Sequence, residues 1–392
     1  MWVDLAAWAG VIFLVGVLIE LIRLDFVFLR AFLTEPKMAG PISQNPGEDL
    51  PLISVVVPAK DEERHLERSA RAVLASDYKR LELILINDRS RDNTLEIMDR
   101  LGREDARVKV ISIENLPSGW TGKTHAMFQG AARSSGEILL FTDADTALRP
   151  DALSRSLNFF VKERLDMLSL FPAFARRGFV EDAVYTHLAL GISFFYPLTE
   201  VNDLAKPGGL ASGCFIMLRK TVYDEIGTWR RLKNEVTEDV ALSKAVKAQG
   251  RRLMVLRGAG VLSTKPFDSV SDVCRFWKRT YYGGLERSVT RILRLATNYT
   301  ALTVTALLFI FSGIVWLNGA ATLGMTVLFF LAALATAGVV IPFCFFIDQE
   351  EGNWLYGLTA PVGIAISAWV AFTTLVAVLS DQGIRWRGST YK

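Results

Sequence analysis

The sequence has little of what closes small domains or builds metal cages: three cysteines and three histidines in 392 residues. Cys214, Cys274 and Cys344 stand far apart with no Cys-x-x-Cys spacing, which excludes a disulfide framework and a zinc site. His65, His125 and His187 are equally isolated, and a lone histidine is ordinarily a surface or hydrogen-bonded residue. Charge of one sign is also missing. Lys and Arg number 44 against 41 Asp and Glu, a net charge of +3, which excludes nucleic acid as a partner held by a basic surface. With 51% hydrophobic and 22% charged residues, the chain is too apolar to be disordered.

The apolar excess is local. From Val3 to Leu21 only Asp4 and Glu20 are charged, and that run is about as long as a helix crossing a bilayer. No basic residue precedes it and no small-residue cleavage site follows it, so an uncleaved anchor is expected rather than a signal peptide. Three further runs, Tyr299–Leu317, Ala320–Ile347 and Trp354–Leu379, are each long enough to span. Arg23, Arg30, Arg291 and Arg294 flank the long middle segment, so the positive-inside rule puts that segment on the cytosolic side. Four full spans would then put both termini on the far side, yet the tail from Asp381 to Lys392 is basic. Either one run is re-entrant or the tail breaks the rule, and the run holding Gly338 and Pro342 is the one expected to break.

Pro36, Gly40, Pro41, Pro46 and Gly47 mark residues 32–50 as a linker. Beyond it the period changes. Ile53–Val57 reads as a strand closed by Pro58, Glu62–Ala75 as a helix, Leu81–Ile86 as a second buried strand, Thr94–Leu101 as a helix, and Val108–Ile113 as a strand. A Gly-rich loop, a helix Thr124–Ala132 and a strand Glu137–Thr142 follow. Alternation of this kind builds an open α/β sheet, which binds ligands at the carboxyl ends of its strands. Those ends carry Pro58-Ala59-Lys60-Asp61-Glu62, Asn87-Asp88-Arg89-Ser90 and Asp143-Ala144-Asp145. Any one Asp there could be a turn former or helix cap; three acidic clusters in one crevice repel one another unless a cation or hydrogen-bond donors offset them.

The order and spacing of these segments resemble the family 2 glycosyltransferases of the nucleotide-sugar-binding GT-A fold. The resemblance begins at Val55–Glu62, continues through Leu85–Thr94 and Asp143-Ala144-Asp145, and closes at Thr237-Glu238-Asp239-Val240-Ala241-Leu242. It covers roughly residues 50–290. Leu116-Pro117-Ser118-Gly119-Trp120-Thr121-Gly122-Lys123 and Trp386-Arg387-Gly388 look like membrane-bound members acting on lipids, such as the hopene-associated and carotenoid-type enzymes and, more distantly, ceramide glucosyltransferases.

The resemblance implies a division of labour. Ala59, Glu62 and Asp88 would hold uracil and ribose of a UDP-linked sugar, Asp88 accepting the imide N–H. Asp145 would ligate Mg2+ or Mn2+ bridging the phosphates, with Asp143 near the ribose and the metal's water shell. Lys123 would offset phosphate charge, although its loop is not a Walker loop and also reads as a surface turn. Asp239 would be the general base of an inverting transfer; Thr237-Glu238-Asp239 equally suits a helix start with Thr237 as N-cap. Glu238, Trp277 and Arg279 are weaker candidates for the acceptor side or for capping the nucleotide. Asp272 and Phe276 stand where processive relatives have the Gln and Trp of Gln-x-x-Arg-Trp, which argues against a polymer synthase, and Arg275–Arg279 also reads as an amphipathic helix at headgroup level. Two further departures are Asn87, where a second acid is usual, and Asp61, where Asn is common. The apolar stretch Leu188–Leu198 reads as a core helix or as a membrane-facing entry for a lipid acceptor.

The expected organisation is an anchor and juxtamembrane helix at 1–31, the linker at 32–50, an α/β GT-A domain at 51–290, a transmembrane region of two to three spans at 291–380 and a basic tail at 381–392. The expected function is transfer of one sugar from a UDP-sugar to a lipid acceptor at the cytosolic face of a plasma or inner membrane. The alternatives are a polyprenyl-phosphate glycosyltransferase and a catalytically inactive GT-A binding subunit of a membrane assembly.

Overall fold

The computed structural model of the chain describes residues 2–34, 50–175, 178–349, 352–380, 383–386 and 389–391. Most of the expected linker and the Arg387-Gly388 pair of the tail lie outside the described residues. The chain divides into two compact units: Glu35–Ala175 with Leu198–Lys265, and Met1–Thr34 with Arg176–Pro197 and Pro266–Lys392.

The first of these is an α/β unit. Its strands are β1 (Ile53–Ala59), β2 (Leu81–Asp88), β3 (Val108–Ile113), β4 (Ile138–Phe141), β5 (Thr146–Leu148), β6 (Met167–Phe171), β7 (Ala173–Phe174), β8 (Ile216–Arg219), β9 (Leu253–Arg257) and β10 (Leu262–Thr264). Seven of them form a sheet in the order β3-β2-β1-β4-β8-β6-β9, and β5, β10 and β7 form a smaller one. The strands β3, β2, β1 and β4 are parallel, as the alternation of elements requires. Strand β8 runs antiparallel to both β4 and β6, so the sheet is mixed. All eight residues of β2 are buried, the mark of a strand covered on both faces. The covering helix Leu66–Leu74 buries Leu66, Ala70 and Val73, one face at helical spacing.

Polar groups at the far ends of the strands are paired rather than hydrated. Glu82, buried in β2, accepts hydrogen bonds from the Ser54 hydroxyl and the Ser135 amide and pairs with Lys109. Burial alone would raise the Glu82 pKa; these partners outweigh it and hold the carboxyl below its usual range. Under β4, Phe141 packs edge-on to the fully buried Trp229 at 5.2 Å and tilted against Tyr223 at 5.8 Å. That packing fixes the strand end two residues before Asp143. Truncating a buried Trp of this kind costs about 3–5 kcal/mol.

The second unit is helical. Four helices among the described residues are long and apolar enough to cross a membrane: Asp4–Arg23, Val289–Leu317, Leu323–Asp348 and Trp354–Leu379. The helix Leu323–Gln349 continues unbroken through Gly338 and Pro342, contrary to the expected break. Proline withholds one backbone donor here, and in a helical bundle that single loss is absorbed by neighbours more cheaply than a broken helix would be. The irregular turn lies instead at Trp354–Thr359, a 3-10 segment leading into Ala360–Leu379. The apolar stretch starting at Leu188 belongs to this unit: the helix Thr186–Ser193 buries Leu188 and Ile192, and Leu190 packs against Phe343, Ile347 and Ala360.

Candidate active site

The parallel strands end in two loops that hold each other. Asp61 and Arg89 adopt left-handed backbone angles, φ 54° and 57°, which Asp tolerates better than most residues. The Asp61 carboxylate accepts the Arg91 amide at 2.7 Å, and the Ser90 hydroxyl accepts the Asp61 amide at 3.1 Å. Asp92 accepts the Glu63 amide, and Glu63 accepts from Asn93 in return. Asn87 spends both ends of its amide inside the fold, accepting the Ser90 amide and donating to the Ser112 hydroxyl, each at 3.1 Å. The departures from the family pattern at Asn87 and Asp61 are therefore loop fasteners. Ala59 ends β1 opposite Asn87, and Glu62 is buried beside them with its amide bonded to Thr94.

Asp88 lies next to the Gly119–Lys123 loop. Its carboxylate pairs with Arg89 at 2.8 Å, and a Cβ on Gly122 would collide with it. The loop is seated from the other side, since the Lys233 carbonyl accepts the Thr121 amide and the Thr124 hydroxyl, both at 2.7 Å. Thr121 caps the helix Gly122–Ala132, so Lys123 stands in a first helical turn, where the macrodipole adds positive potential. Beside it His125 is buried, edge-on to Trp120 at 5.3 Å. Burial keeps its pKa below the ordinary histidine value.

Lys123 is the hub of the acidic residues. Its ammonium lies 2.7 Å from Asp143 and 2.8 Å from Glu238. Burial opposes its charge, but Asp143, Glu238 and Asp239 together drive its pKa well above that of a free lysine. Glu238 and Asp239 open the helix Glu238–Ala248; Thr237 holds the N-cap position but its side chain makes no capping bond. Instead Asp239 accepts the Val240 amide at 2.8 Å and the Gly213 amide at 3.0 Å. A Cβ on Gly213 would meet Lys123 Nζ at 2.8 Å, Asp143 Oδ2 at 3.4 Å and Asp239 Oδ2 at 3.7 Å. The missing side chain thus leaves a small polar cradle walled by three of the expected site residues.

Asp145 faces Lys265 at 3.8 Å. The Cys214 thiol lies 3.8 Å from Asp143, and burial together with Asp143 and Asp145 pushes its pKa up, which disfavours the nucleophilic thiolate. Among the described residues no three His, Cys, Asp or Glu side chains converge as a metal cage. Asp143 at the cradle, with Asp145 two residues on, still suits Mg2+ or Mn2+, which take one or two protein carboxylates and fill the remaining positions with phosphate and water. Trp277 and Arg279 belong to the helical unit. Trp277 is buried in an aromatic cluster with Tyr185, Phe276 and Tyr281 at 5.3–5.6 Å, and Arg279 stacks over Phe276 at 5.6 Å.

The family model for glycosyl transferase family 2 matches residues 54–227, a span containing both strand-end loops, the Lys123 loop and Asp143-Ala144-Asp145. Residues 54–227 are a glycosyl transferase family 2 domain. Its curated relatives include 4,4'-diaponeurosporenoate glycosyltransferase of Staphylococcus haemolyticus, 27% identical over 57% of this chain and 59% of that protein. Beta-monoglucosyldiacylglycerol synthase of Trichormus variabilis is 27% identical over 61% of this chain and 49% of that protein. The chain therefore spans about half to three-fifths of the length of these relatives. Among solved structures, a mannosyltransferase from Pyrobaculum calidifontis in complex with GDP-Man and Mn2+ superposes with a TM-score of 0.54 at 16% identity, covering 91% of this chain and 99% of that one. The shared fold is GT-A.

In this family 2 domain and its continuation, the structure gathers Lys123, Asp143, Glu238 and Asp239 around one cradle, while Ala59, Glu62 and Asp88 line the adjoining strand ends. The sequence reading missed Gly213, Arg89 and Lys265. The signal for Gly213 was present in the run Gly208-Gly209-Leu210-Ala211-Ser212-Gly213 just before β8, since clustered glycines mark a close approach of backbone to a site. Arg89 lay within the strand-end segment Asn87-Asp88-Arg89-Ser90 without being singled out, and Lys265 carried no such signal, being a single charge in a loop.

Proposed function

We propose that the protein is a membrane-embedded, metal-dependent, inverting glycosyltransferase that moves one sugar from a uridine-diphosphate donor to a lipid acceptor at the cytosolic face. The observation that carries this reading is the convergence of Asp143, Lys123, Glu238 and Asp239 over Gly213, at the carboxyl ends of the parallel strands. Two relatives named for 4,4'-diaponeurosporenoate and monoglucosyldiacylglycerol support a lipid acceptor, as do the four long apolar helices. The Mn2+ in the mannosyltransferase complex supports a divalent cation. Its GDP-linked donor makes guanosine the nucleotide to test against uridine.

In this reading Asp88 accepts the uracil imide N–H, with its carboxylate oriented by Arg89, and Ala59 and Glu62 flank base and ribose. Mg2+ or Mn2+, held by Asp145 with Asp143, would neutralise charge on the leaving diphosphate. Lys123 adds a second positive charge at the same place. The acceptor oxygen bonds to the anomeric carbon as the bond from that carbon to the diphosphate oxygen breaks; the electron pair leaves with UDP and the acceptor proton passes to Asp239. The Gly213 N–H and the helix start fix that carboxylate.

Turnover of a radiolabelled UDP-sugar onto membrane lipid extract tests the reading. Asp239→Asn should cost about 10²–10⁴-fold in rate, the usual worth of a general base, while nucleotide binding survives. Asp145→Ala should abolish the metal-dependent rate with expression and membrane insertion retained. Substantial activity in Asp239→Asn would instead favour the polyprenyl-phosphate alternative, whose phosphate nucleophile needs no strong base.

A further inference from the structure

Lys123 lies between the two halves of the machinery. One neighbour, Asp143 at 2.7 Å, belongs to the metal-side pair; the other, Glu238 at 2.8 Å, precedes the base. Its ammonium also borders the cradle over Gly213, 2.8 Å from where a Cβ would be. The lysine stem rises from a first helical turn capped by Thr121 and tied to Lys233, so the charge is delivered to this point by rigid backbone. A lysine there is a built-in cation on Asp143, one of the two carboxylates expected to receive an external one; the other, Asp145, faces Lys265 at 3.8 Å.

We propose that Lys123 holds the cation position of the site until a nucleoside diphosphate arrives, so that the free metal ion is kept out and metal binding requires the diphosphate. The inference rests on the function proposed above. Two like charges cannot share Asp143 without cost, and Lys123 can release it only when new negative charge is present to take the ammonium. The diphosphate brings that charge. On its departure Lys123 returns to Asp143, which leaves no stable site for a bare ion and favours release of the product with its metal.

The test is calorimetric titration of the full-length protein in detergent with MnCl2 alone. Lys123→Met should bind free Mn2+ at least tenfold more tightly than the unaltered protein, and adding Asp143→Asn to Lys123→Met should remove the gain. Unchanged or weaker affinity in Lys123→Met overturns the proposal, and so does a gain that survives Asp143→Asn, because the ion would then lie elsewhere. If Lys123→Met fails to fold, as judged by its thermal unfolding, Lys123→Gln carries the same expectations. Titrating the unaltered protein with UDP and Mn2+ together separates the two levels. No binding there sinks the proposed function, whereas binding there without a free-metal gain in Lys123→Met sinks only the role of Lys123.

Discussion

Individual residues matter here through the space they leave as much as through the groups they bring. Gly213 does not have a positive φ, so alanine fits its backbone, yet the added Cβ would enter the cradle 2.8 Å from Lys123 Nζ. Gly213→Ala should therefore weaken metal-dependent nucleotide binding at least tenfold while thermal unfolding stays within a few degrees of the unaltered protein; equal affinity would mean the cradle is not used. The acidic residues were legible in the sequence because each ends a strand or opens a helix. Their partners were less so. Lys123 could be picked out from its glycine-flanked loop as a cation, but that it pairs with Asp143 depends on how the helix and strand after it pack, and that it pairs with Glu238 depends on two loops meeting across more than a hundred residues. Thr237 shows the converse: the capping position was right, while the capping bond is absent because the Asp239 carboxylate serves the helix start and Gly213 instead.

At the scale of elements, the β-α-β frame was readable because buried parallel strands are near-continuous apolar runs, and β1 and β2 fall where those runs do. Antiparallel β8 and the small second sheet were not, since a strand of two to four residues has too few positions to show a period. The long helix through Pro342 was misread for a related reason: local propensity disfavours it, and tertiary packing overrides propensity. Glu82 gives the element-scale prediction. Its folded pKa is depressed, so the folded protein holds fewer protons than the unfolded one. Its contribution is complete above the unfolded value of about 4.3 and fades as pH falls through the folded value. Glu82→Gln should cost roughly 1–3 kcal/mol near neutral pH, the worth of charged buried hydrogen bonds. Unfolding followed from pH 7 down to pH 2 should show the gap closing in acid; a pH-independent gap would mean that Glu82 acts through shape alone.

At the scale of the whole molecule, composition suggests two environments; the chain divides into an α/β unit and a helical one, the helical one resuming at Pro266. The cationic flanks that suggested a cytosolic orientation meet in the helical unit, where Arg23 and Arg294 both stack on Phe194, at 5.8 and 5.1 Å. A guanidinium pair on one ring is at home at lipid headgroups, which fits the proposed placement. The boundary of the helical unit was harder to read, because Arg176–Pro197 joins it from within the middle segment and only its apolar stretch hinted at this. The central claim is that this molecule carries a uridine-diphosphate site completed by a divalent cation. Calorimetric titration of the detergent-purified protein with UDP, in Mn2+ and then in chelator, beside the same titrations with GDP, tests it most directly. The account predicts Mn2+-dependent binding selective for UDP; binding of neither nucleotide would contradict it and leave the family 2 domain as a binding module that has kept only the fold.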